Sequence, residues 1–566
     1  FRTAIQKATR SNPNPYDGEP YYNLGLSLWY QNRLEESYDA FYKSAWCQAC
    51  QEAAFYYLAC ICARKGEPEQ ALEHLENAII RNARNYRALD LKALLLLKLG
   101  HTQQAVALAK QVASLDPLDV ISRRILGENT LCRPDTAIEI ALEYAAGGFY
   151  PAAIQILEET KEKTPLVFYH LAHFYKEIGD GKKCRQYLQA ASEADSYLCF
   201  AHRLEDMQVL EEAADESAGD AMARYYLGCL YYDKKRCNEA ICAWEACTAL
   251  LPDYPTAYRN LSIAYYNKRQ DIPKAVLALE KAFALDPSDS RVLMELDLFY
   301  KKTGRSPQNR LHFLQQHLEQ TVQRDDLYTE YITLLNMTKQ SDKALQCIES
   351  HHFHPWEGGE GKISAQYVAA LCMQADEKLR SGEAQQAVKL LERSYTYPQN
   401  LGEGKLYGAQ ENLQNYLMGL AYEQLGQSAE AHRYFEKASS GLSQPQSAVY
   451  YNDQPPETIF CQGLALLKLG KADAAQTRFE KLIEYADAHL NDKVKIDYFA
   501  VSLPDFLVFD EDLQKKNRVH CLFMKTLGCA GAKRTAEMQA AFEEAAALDQ
   551  NHFAIQLYKN LFKLEG

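Results

Sequence analysis

The sequence has no long hydrophobic run and no excess of basic residues. Its longest apolar stretch, ALLLLKLG at residues 93–100, already contains a lysine, whereas a helix that spans a bilayer needs about 20 apolar residues. Lys and Arg number 62 against 75 Asp and Glu, which gives a formal charge of −13 and a pI near 5.6. The short apolar run argues against a membrane-spanning segment. Because nucleic acids bind basic surfaces, the acidic balance argues against a nucleic-acid partner.

The features of a signal peptide are missing from the first residues, FRTAIQKATRSNPNP, which have no basic start, apolar stretch or small-residue cleavage site. This segment opens on Phe1 and reads like the last turns of a helix cut from something larger. Sixteen cysteines are scattered among alanines and leucines in helical patterns, which is typical of reduced core residues. We therefore expect a cytoplasmic location.

Recognisable catalytic motifs are missing too, including the nucleophile elbow, the kinase set, the dinucleotide fingerprint and the zinc-protease helix. Cys47 and Cys50 have the spacing of metal ligands. Cys60 and Cys62 follow, but with one residue between them they point in different directions on a helix, so core packing is favoured over a zinc site. We predict no catalytic residue, metal or cofactor in this chain, and leave open an activity that a segment outside it supplies.

A period of 34 residues runs through the sequence. Two series carry it: Asn32, Gly66 and Gly100, and Ser37, Ala71 and Ala105. Each period has a first helix with a small residue at its eighth position, a Gly or Asn turn, and a second helix with alanine near its middle. A fixed period of this length indicates a solenoid of stacked helix pairs.

The pattern resembles the tetratricopeptide repeat family. The resemblance implies an all-α fold, an α-α superhelical solenoid of roughly thirteen helix-turn-helix units. Small residues such as Gly25, Gly228 and Gly463 would let the two helices of a unit approach closely. Gly66 and its equivalents would end the first helix in a left-handed turn.

Slips in the repeat register suggest how the array is organised. We predict three groups of units, at 1–120, at 121–350 with insertions near 121–134 and 197–219, and at 351–566 with GEGK loops at 358–362 and 402–405. The stretch 485–512 is the least repeat-like and is expected to form an extended loop or an irregular connection. Repeat arrays often place such insertions on the face that binds a ligand.

In this register the first helices line a concave groove rich in aromatic residues. The predicted groove residues are Tyr22, Trp29, Tyr30, Tyr56, Tyr225, Tyr232, Arg259, Tyr266, Asn267 and Tyr416. Tyrosine offers apolar area with a polar tip, which suits a sugar ring or an extended or helical peptide. The alternative is that the tyrosines serve packing between helices, and the sequence leaves both interpretations open.

One short motif, GEGK, occurs twice, within HHFHPWEGGEGKIS at 351–364 and NLGEGKLYG at 400–408. A phosphate-binding loop would need Ser or Thr after the lysine, and Ile363 and Leu406 stand there. Either the loops hold an anion or a sugar hydroxyl, or they are turns between repeats in which Glu360 or Glu403 caps the next helix. The candidate loop residues are His354, Trp356, Glu357, Glu360, Lys362, Asn400, Glu403 and Lys405.

Residues 354–362 and 397–406 also resemble a narrower group, large bacterial proteins in which a β-sandwich domain of unknown function precedes a long tetratricopeptide array. That resemblance implies a theme of sugar metabolism, with any catalysis upstream of this chain. Our leading hypothesis is a scaffold that binds a protein segment, a peptide or its own N-terminal domain through the aromatic groove. The alternative is the accessory half of a carbohydrate-active enzyme, with an oligosaccharide bound near the GEGK loops.

Overall fold

The computed structural model describes residues 1–128, 130–356, 358–447, 454–495 and 508–564. All regular secondary structure in these ranges is helical, which confirms the predicted all-α class. The contacts divide the chain into two compact units, unit 1 at 1–257 and unit 2 at 258–566. The predicted three-part division stays a prediction.

Unit 1 is built from short helices joined by tight turns. They are α1 Arg2–Ala8, α2 Glu19–Trp29, α3 Leu34–Ser44, α4 Gln51–Lys65, α5 Pro68–Arg81, α6 Tyr86–Lys98, α7 Thr102–Leu115, α8 Val120–Ile125, α9 Pro134–Ala146, α10 Tyr150–Glu159, α11 Pro165–Glu177, α12 Gly181–Glu193, α13 Leu204–Glu216, α14 Ala221–Asp233 and α15 Cys237–Leu250. A further helix, α16 Pro255–Ala264, crosses the division and continues as a π-helical turn at Tyr265–Arg269.

Unit 2 continues in the same manner. Its helices are α17 Ile272–Leu285, α18 Ser290–Lys302, α19 Pro307–Gln316, α20 Leu318–Val322, α21 Asp325–Met337, α22 Ser341–Ser350, α23 Lys362–Arg380, α24 Ala384–Ser394, α25 Asn412–Gln424, α26 Ser428–Ala438, α27 Pro456–Lys468, α28 Ala472–His489, α29 Leu513–Gly531, α30 Thr535–Leu548 and α31 Phe553–Phe562. Many consecutive helices pack as pairs, for example α4 on α5 and α25 on α26, and neighbouring pairs also contact each other, as α3 with α4 and α24 with α25 show. This is the packing of a helical solenoid.

Glycines at two kinds of position make the pairs possible. Gly66 ends α4 with φ at 81°, a left-handed conformation that costs other residues energy, so the chain turns at once into α5. Gly228 lies in the middle of α14 directly under Trp244 of α15. A Cβ at this position would lie 2.3 Å from the indole nitrogen. The close approach predicted from the small residues is therefore present, and it lets a large aromatic ring fill the space between paired helices.

The predicted insertions contain additional helices. Residues 121–134 hold most of α8 and the turns that follow it, apart from Asn129, which lies outside the described residues. Residues 197–219 hold α13, which packs against α11 and α14. The prediction of an irregular connection at 485–512 is wrong for residues 485–489, which form the last turn of α28. Residues 508–512, just before α29, have no regular structure, and residues 496–507 lie outside the described residues.

Cysteines contribute to the cores, as Cys60 and Cys62 show by their complete burial in α4. Cys47 precedes a single 3-10 turn and Cys50 ends it, and both are partly exposed. Within the described residues, no group of three or more His, Cys, Asp or Glu side chains is arranged to hold a metal ion. Among those residues, too, no helix has the length and apolar character needed to cross a bilayer.

Candidate binding groove

A buried charge cluster joins helices from distant parts of unit 2. Arg310 on α19 is fully buried and pairs with both carboxylate oxygens of Asp297 on α18, at 3.0 and 2.5 Å. It also donates to Glu330 on α21 at 2.7 Å and to the side chain of Asn551 at 3.0 Å. Burial raises the pKa of Glu330, but Lys301, 2.9 Å away, and Arg310 outweigh it, so the pKa is lowered. We call these five residues the arginine cluster.

The turn between α30 and α31 is anchored to the turn between α18 and α19. Asn551 donates to the backbone oxygen of Arg305 at 3.0 Å, and Gln550 donates to that of Gly304. On α23, Arg380 donates to a backbone oxygen in the last turn of α31 at 2.8 Å. Because α31 also packs against α21 and α23, the end of unit 2 fills the inner face made by its earlier helices.

A segment without helical structure, residues 508–512, lies just before α29 and contacts Tyr266 and α18, and we call it the strap. Its only buried side chain is Phe509, which is fully enclosed. The Phe509 ring stacks on Phe299 of α18, with centroids 4.0 Å apart and planes at 30°. Tyr266 meets it edge-on at 5.4 Å. Phe299 and Tyr266 therefore form a pocket for one aromatic ring.

The main chain of the strap is held by Asn267, which lies in the π-helical turn after α16. Its side-chain nitrogen donates to the Val508 oxygen at 2.8 Å, and its side-chain oxygen accepts from the Asp510 nitrogen at 2.9 Å. The oxygen of Asp510 accepts from Lys302 at 3.2 Å and from the Tyr266 hydroxyl at 3.4 Å. One carboxamide thus binds both a donor and an acceptor of an extended chain.

A cavity of about 790 Å³ adjoins the strap inside unit 2. Eight Lys or Arg and seven Asp or Glu side chains line it, so its wall carries both charges in near balance. Lys302 and Lys515 are among the cations, and Glu511 of the strap is among the anions. Trp356 and Lys362, from the first GEGK loop and the residues just before it, also line the cavity. This is a volume suited to a small ligand or to several side chains of a bound peptide.

The two GEGK loops bind each other. Glu403 of the second loop accepts from the backbone nitrogens of Gly361 at 2.8 Å and Ser364 at 3.1 Å, and so caps the start of α23. Asn400 donates to the backbone oxygens of Ile348 and His351, at 2.7 and 2.8 Å. These two bonds support the interpretation of Glu403 as a helix cap. The helix that it caps, α23, follows the first GEGK loop, whereas Glu403 itself lies in the second.

Two glycines of these loops lie where a side chain would clash with neighbouring atoms. A Cβ on Gly359 would lie 2.1 Å from the indole ring of Trp356, which covers the backbone there. Gly402 has φ at 71°, and a Cβ on it would lie 2.4 Å from the Phe353 oxygen. Since Phe353 also donates its backbone nitrogen to the Asn400 oxygen at 2.8 Å, the two loops run together as one tied pair of turns.

Of the remaining loop candidates, some contact other residues of unit 2 and some are exposed to solvent. Lys405 donates to the Tyr395 oxygen at 2.9 Å and pairs with Glu411. Glu360 is exposed, and Glu357 lies outside the described residues. His354 has a largely exposed side chain that contacts Asp325 at 3.1 Å.

The predicted groove residues of unit 1 are packed by their neighbours. Trp29 and Tyr56 are buried, and the Arg64 guanidinium lies 4.3 Å from the Trp29 ring. Tyr22 packs against Phe41 with ring centroids 5.6 Å apart. Trp29 and Tyr56 line a cavity of only about 70 Å³, room for a few water molecules.

Two further predicted groove tyrosines of unit 1, Tyr225 and Tyr232, lie on α14. Tyr225 meets Tyr254 edge-on with centroids 5.0 Å apart, and burial raises the pKa of its hydroxyl. Tyr232 lies 5.6 Å from the Trp244 ring. In unit 2, Arg259 is engaged in an ion pair with the fully buried Glu295, with a shortest distance of 2.5 Å. These contacts match the alternative that the predicted groove residues serve packing between helices.

Tyr30 and Tyr416, the other two predicted groove residues, are engaged too. The Tyr30 hydroxyl donates to Glu205 of α13 at 3.0 Å. Tyr416 is buried, and its ring lies 6.2 Å from that of Phe562 at the end of α31.

Of all the predicted groove residues, Tyr266 and Asn267 are the two that hold an extended segment of chain. The sequence analysis missed their partners Phe299, Lys302 and Phe509. A usable signal existed for Phe509, since it is an aromatic residue followed by three acids in the least repeat-like part of the chain. Nothing in the sequence connects that residue with a helix more than 200 positions earlier.

Comparison with known families supports the repeat assignment. The models described as tetratricopeptide repeat match residues 56–120 and residues 415–440. The chain contains tetratricopeptide repeats. The first match covers most of α4 through α7 in unit 1, and the second covers most of α25 and α26 in unit 2. Both units therefore carry repeats of this family.

Several solved structures are similar to parts of this chain at low sequence identity. YrrB, described as a protein with an unusual peptide-binding site, is 19% identical over 39% of this chain and 97% of its own, with a TM-score of 0.16. The P58(IPK) tetratricopeptide domain is 15% identical over 80% and 99%, with a TM-score of 0.18. A MamA fragment from Desulfovibrio magneticus RS-1 is 17% identical over 42% and 96%, with a TM-score of 0.15. Similarity at this level says nothing about ligands.

Proposed function

We propose that this tetratricopeptide chain is a scaffold that binds an extended protein segment in the groove of unit 2 lined by Tyr266 and Asn267. The observation that carries the proposal is the pair of hydrogen bonds from the Asn267 carboxamide to one main-chain oxygen and one main-chain nitrogen. Every extended segment offers such a pair of groups, so the contact suits binding of a peptide main chain in general.

The neighbouring aromatic pocket supplies the second element of recognition. Phe299 and Tyr266 enclose one ring, and burying an aromatic side chain is among the largest contributions that a single residue makes to an interface. Main-chain hydrogen bonds would set the direction of the bound segment, and the pocket would select an aromatic residue at one position.

The experiment is selection of peptides from a random library on the purified Phe509→Ala chain, in which the strap no longer fills the aromatic pocket, followed by affinity measurements with individual peptides. We expect the selected peptides to bind at least about tenfold more weakly when Asn267→Ala is added, since two hydrogen bonds are lost and each contributes about 1 kcal/mol. Asn77→Ala in the same background, at an exposed position on α5, is the matched control and should leave the affinities unchanged. Selected peptides that bind with equal affinity before and after Asn267→Ala is added would contradict the proposal.

A sugar site remains a second candidate, because Trp356 and Lys362 from the first GEGK loop line the 790 Å³ cavity. An indole ring in a polar cavity suits stacking on a sugar. The second loop supports this less, since Asn400, Glu403 and Lys405 use polar atoms to hold the loops together. The narrower resemblance to bacterial proteins with a β-sandwich domain stays a prediction with this candidate.

Glycan-array binding tests the sugar site by comparing the parent with Trp356→Ala and Glu360→Gln. A site in the cavity predicts that a bound glycan is lost with Trp356→Ala, while the exposed Glu360 matters less. Equal glycan binding by the parent and Trp356→Ala would assign the loops a structural role alone.

A further inference from the structure

We propose that the strap is a built-in pseudo-ligand that occupies the groove, and that the partner is a protein segment of the same chemistry, a phenylalanine followed directly by acidic residues. This inference rests on the proposed function and names the class of its ligand. It implies that the free chain is autoinhibited, because partner and strap would need the same contacts of Asn267 and of the aromatic pocket.

The contacts of the strap are those that a separate peptide could make. Within the strap, Asn267 bonds main-chain atoms of Val508 and Asp510, and the pocket between Phe299 and Tyr266 takes the Phe509 ring. None of these contacts depends on the strap being joined to α29. A second segment with an extended main chain and a phenylalanine would therefore fit the same place.

The acidic preference follows from the charges beside the pocket. The residues after Phe509 are Asp, Glu and Asp, at 510–512. Lys302 contacts the backbone of Asp510 at 3.2 Å, and Lys516 lies 3.4 Å from Glu511. Burial lowers the pKa of Lys302, while the charges of Glu511 and Asp510 raise it, so acids here help to keep this lysine charged.

The strap is held more weakly than the helices around it. Phe509 is its one buried side chain, and the three acids that follow are exposed. By contrast, the turn before α31 is fixed through Asn551 to the buried Arg310. Segments with few buried contacts open locally at a lower free energy than the whole fold, so the strap can leave the groove while unit 2 stays folded.

Tethering explains why a free peptide would bind the intact chain poorly. A segment linked by a short connection competes at an effective concentration of the order of millimolar. The parent should therefore bind a free copy of the strap weakly, and weakening the strap should uncover the affinity of the groove.

The test uses a fluorescein-labelled peptide, VFDEDL, which copies residues 508–513, and fluorescence anisotropy with the full chain. Phe509→Ala empties the aromatic pocket, and we expect it to bind the peptide at least about tenfold more tightly than the parent. Asp510→Pro removes the N–H that Asn267 accepts while keeping the ring, and should also bind more tightly. Combining Phe509→Ala with Asn267→Ala should abolish the gain.

Peptide variants and one protein variant serve as controls. VADEDL should not bind, and VFNQNL should bind about threefold or more weakly and lose its dependence on salt, because the charge contribution is gone. Phe200→Ala, an exposed phenylalanine in unit 1, should behave like the parent.

Two results would overturn the inference. One is that Phe509→Ala and Asp510→Pro, both with the helical circular dichroism of the parent, bind VFDEDL no more tightly than the parent does. The other applies even if these variants fail to fold, and is that saturating VFDEDL leaves amide hydrogen exchange at 508–512 of the parent unchanged. Either result could occur while library-selected peptides still depend on Asn267, so this inference can fail without the proposed function failing.

Discussion

The inner faces of the two units are filled in different ways. In unit 1, side chains close the space and leave about 70 Å³, whereas unit 2 retains about 790 Å³ beside a strap of its own main chain. Both units contain a tyrosine at the same repeat position, Tyr232 in unit 1 and Tyr266, one 34-residue period later, in unit 2. Tyr232 packs near the Trp244 ring, whereas Tyr266 contacts the strap, so equivalent repeat positions have different neighbours in the two units.

The additional helix of unit 1 accounts for part of the difference. Tyr30 of α2 donates to Glu205 of α13 at 3.0 Å, and Arg64 of α4 donates to backbone oxygens at the end of α9 at 3.1 and 3.2 Å. The Tyr30 hydroxyl and the Arg64 guanidinium are therefore already hydrogen-bonded within unit 1, where a ligand would otherwise bond to them. In unit 2 the arginine cluster fixes the turn before α31, and a cavity remains beside the strap.

Removing the central residue of the arginine cluster should produce the largest difference in stability between unit 2 and unit 1. Arg310→Ala leaves Asp297 buried without its ion-pair partner, and we expect unit 2 to lose about 3–5 kcal/mol of stability. Hydrogen exchange resolved by helix is the measurement, with loss of protection in α18, α21 and α31 and no change in unit 1.

The control is Arg433→Ala, which breaks an exposed ion pair with Glu430 on α26 and should cost less than about 1 kcal/mol. Equal losses for the two variants would show that the buried cluster does not hold unit 2 together.

Enlarging the cavity of unit 1 tests whether space alone makes a binding site. Trp29→Ala should destabilise unit 1 by about 3 kcal/mol, because it removes a buried ring that packs against Arg64 and Tyr57. We expect no gain in peptide binding, since Tyr30 and Arg64, which line that cavity, already donate to Glu205 and to backbone oxygens of α9. Peptide binding that appears with Trp29→Ala would remove the distinction between the units.

The acid sensitivity of unit 1 is expected to depend on Asp206. This carboxylate is fully buried, which raises its pKa, but bonds from His170 at 2.9 Å and from two backbone nitrogens lower it to about 2. Because the ordinary pKa is near 3.8, the stability from Asp206 is complete above that value and is lost as the pH falls toward 2. It amounts to about 2 kcal/mol.

Urea unfolding of the parent and of Asp206→Asn between pH 6 and pH 2.5 measures this contribution. The difference in free energy of unfolding should be largest at pH 6 and should shrink as the pH falls. A difference that stays constant over this range would contradict the assignment.

The smallest expected effect concerns the tied GEGK loops of unit 2. Glu403→Ala removes the cap of α23, and loss of a helix cap typically costs about 1 kcal/mol. Faster hydrogen exchange in the first turn of α23 is the expected result, with Glu360→Ala as the matched control. If both variants leave the exchange unchanged, the capping role is wrong.

Much of the fold could be predicted from local pattern. The 34-residue period located Gly66 at a turn and Gly228 at a close approach of two paired helices, and both are found there, because such features depend on residues near in sequence. The candidate site was predicted only in part. Tyr266 and Asn267 follow from the repeat register, but Phe509 reaches them through a fold that brings together residues more than 200 positions apart.

The sequence by itself determined the helix pairs, because each pair needs only a period of small residues, turn residues and apolar positions that lie within 34 residues of one another. Only the tertiary structure decided which aromatic positions are packed and which hold an extended chain. That choice depends on what arrives from elsewhere in the sequence, α13 beside Tyr30 in one unit and the strap beside Asn267 in the other. The repeat pattern is the same in both cases, so it carries no information about that long-range contact.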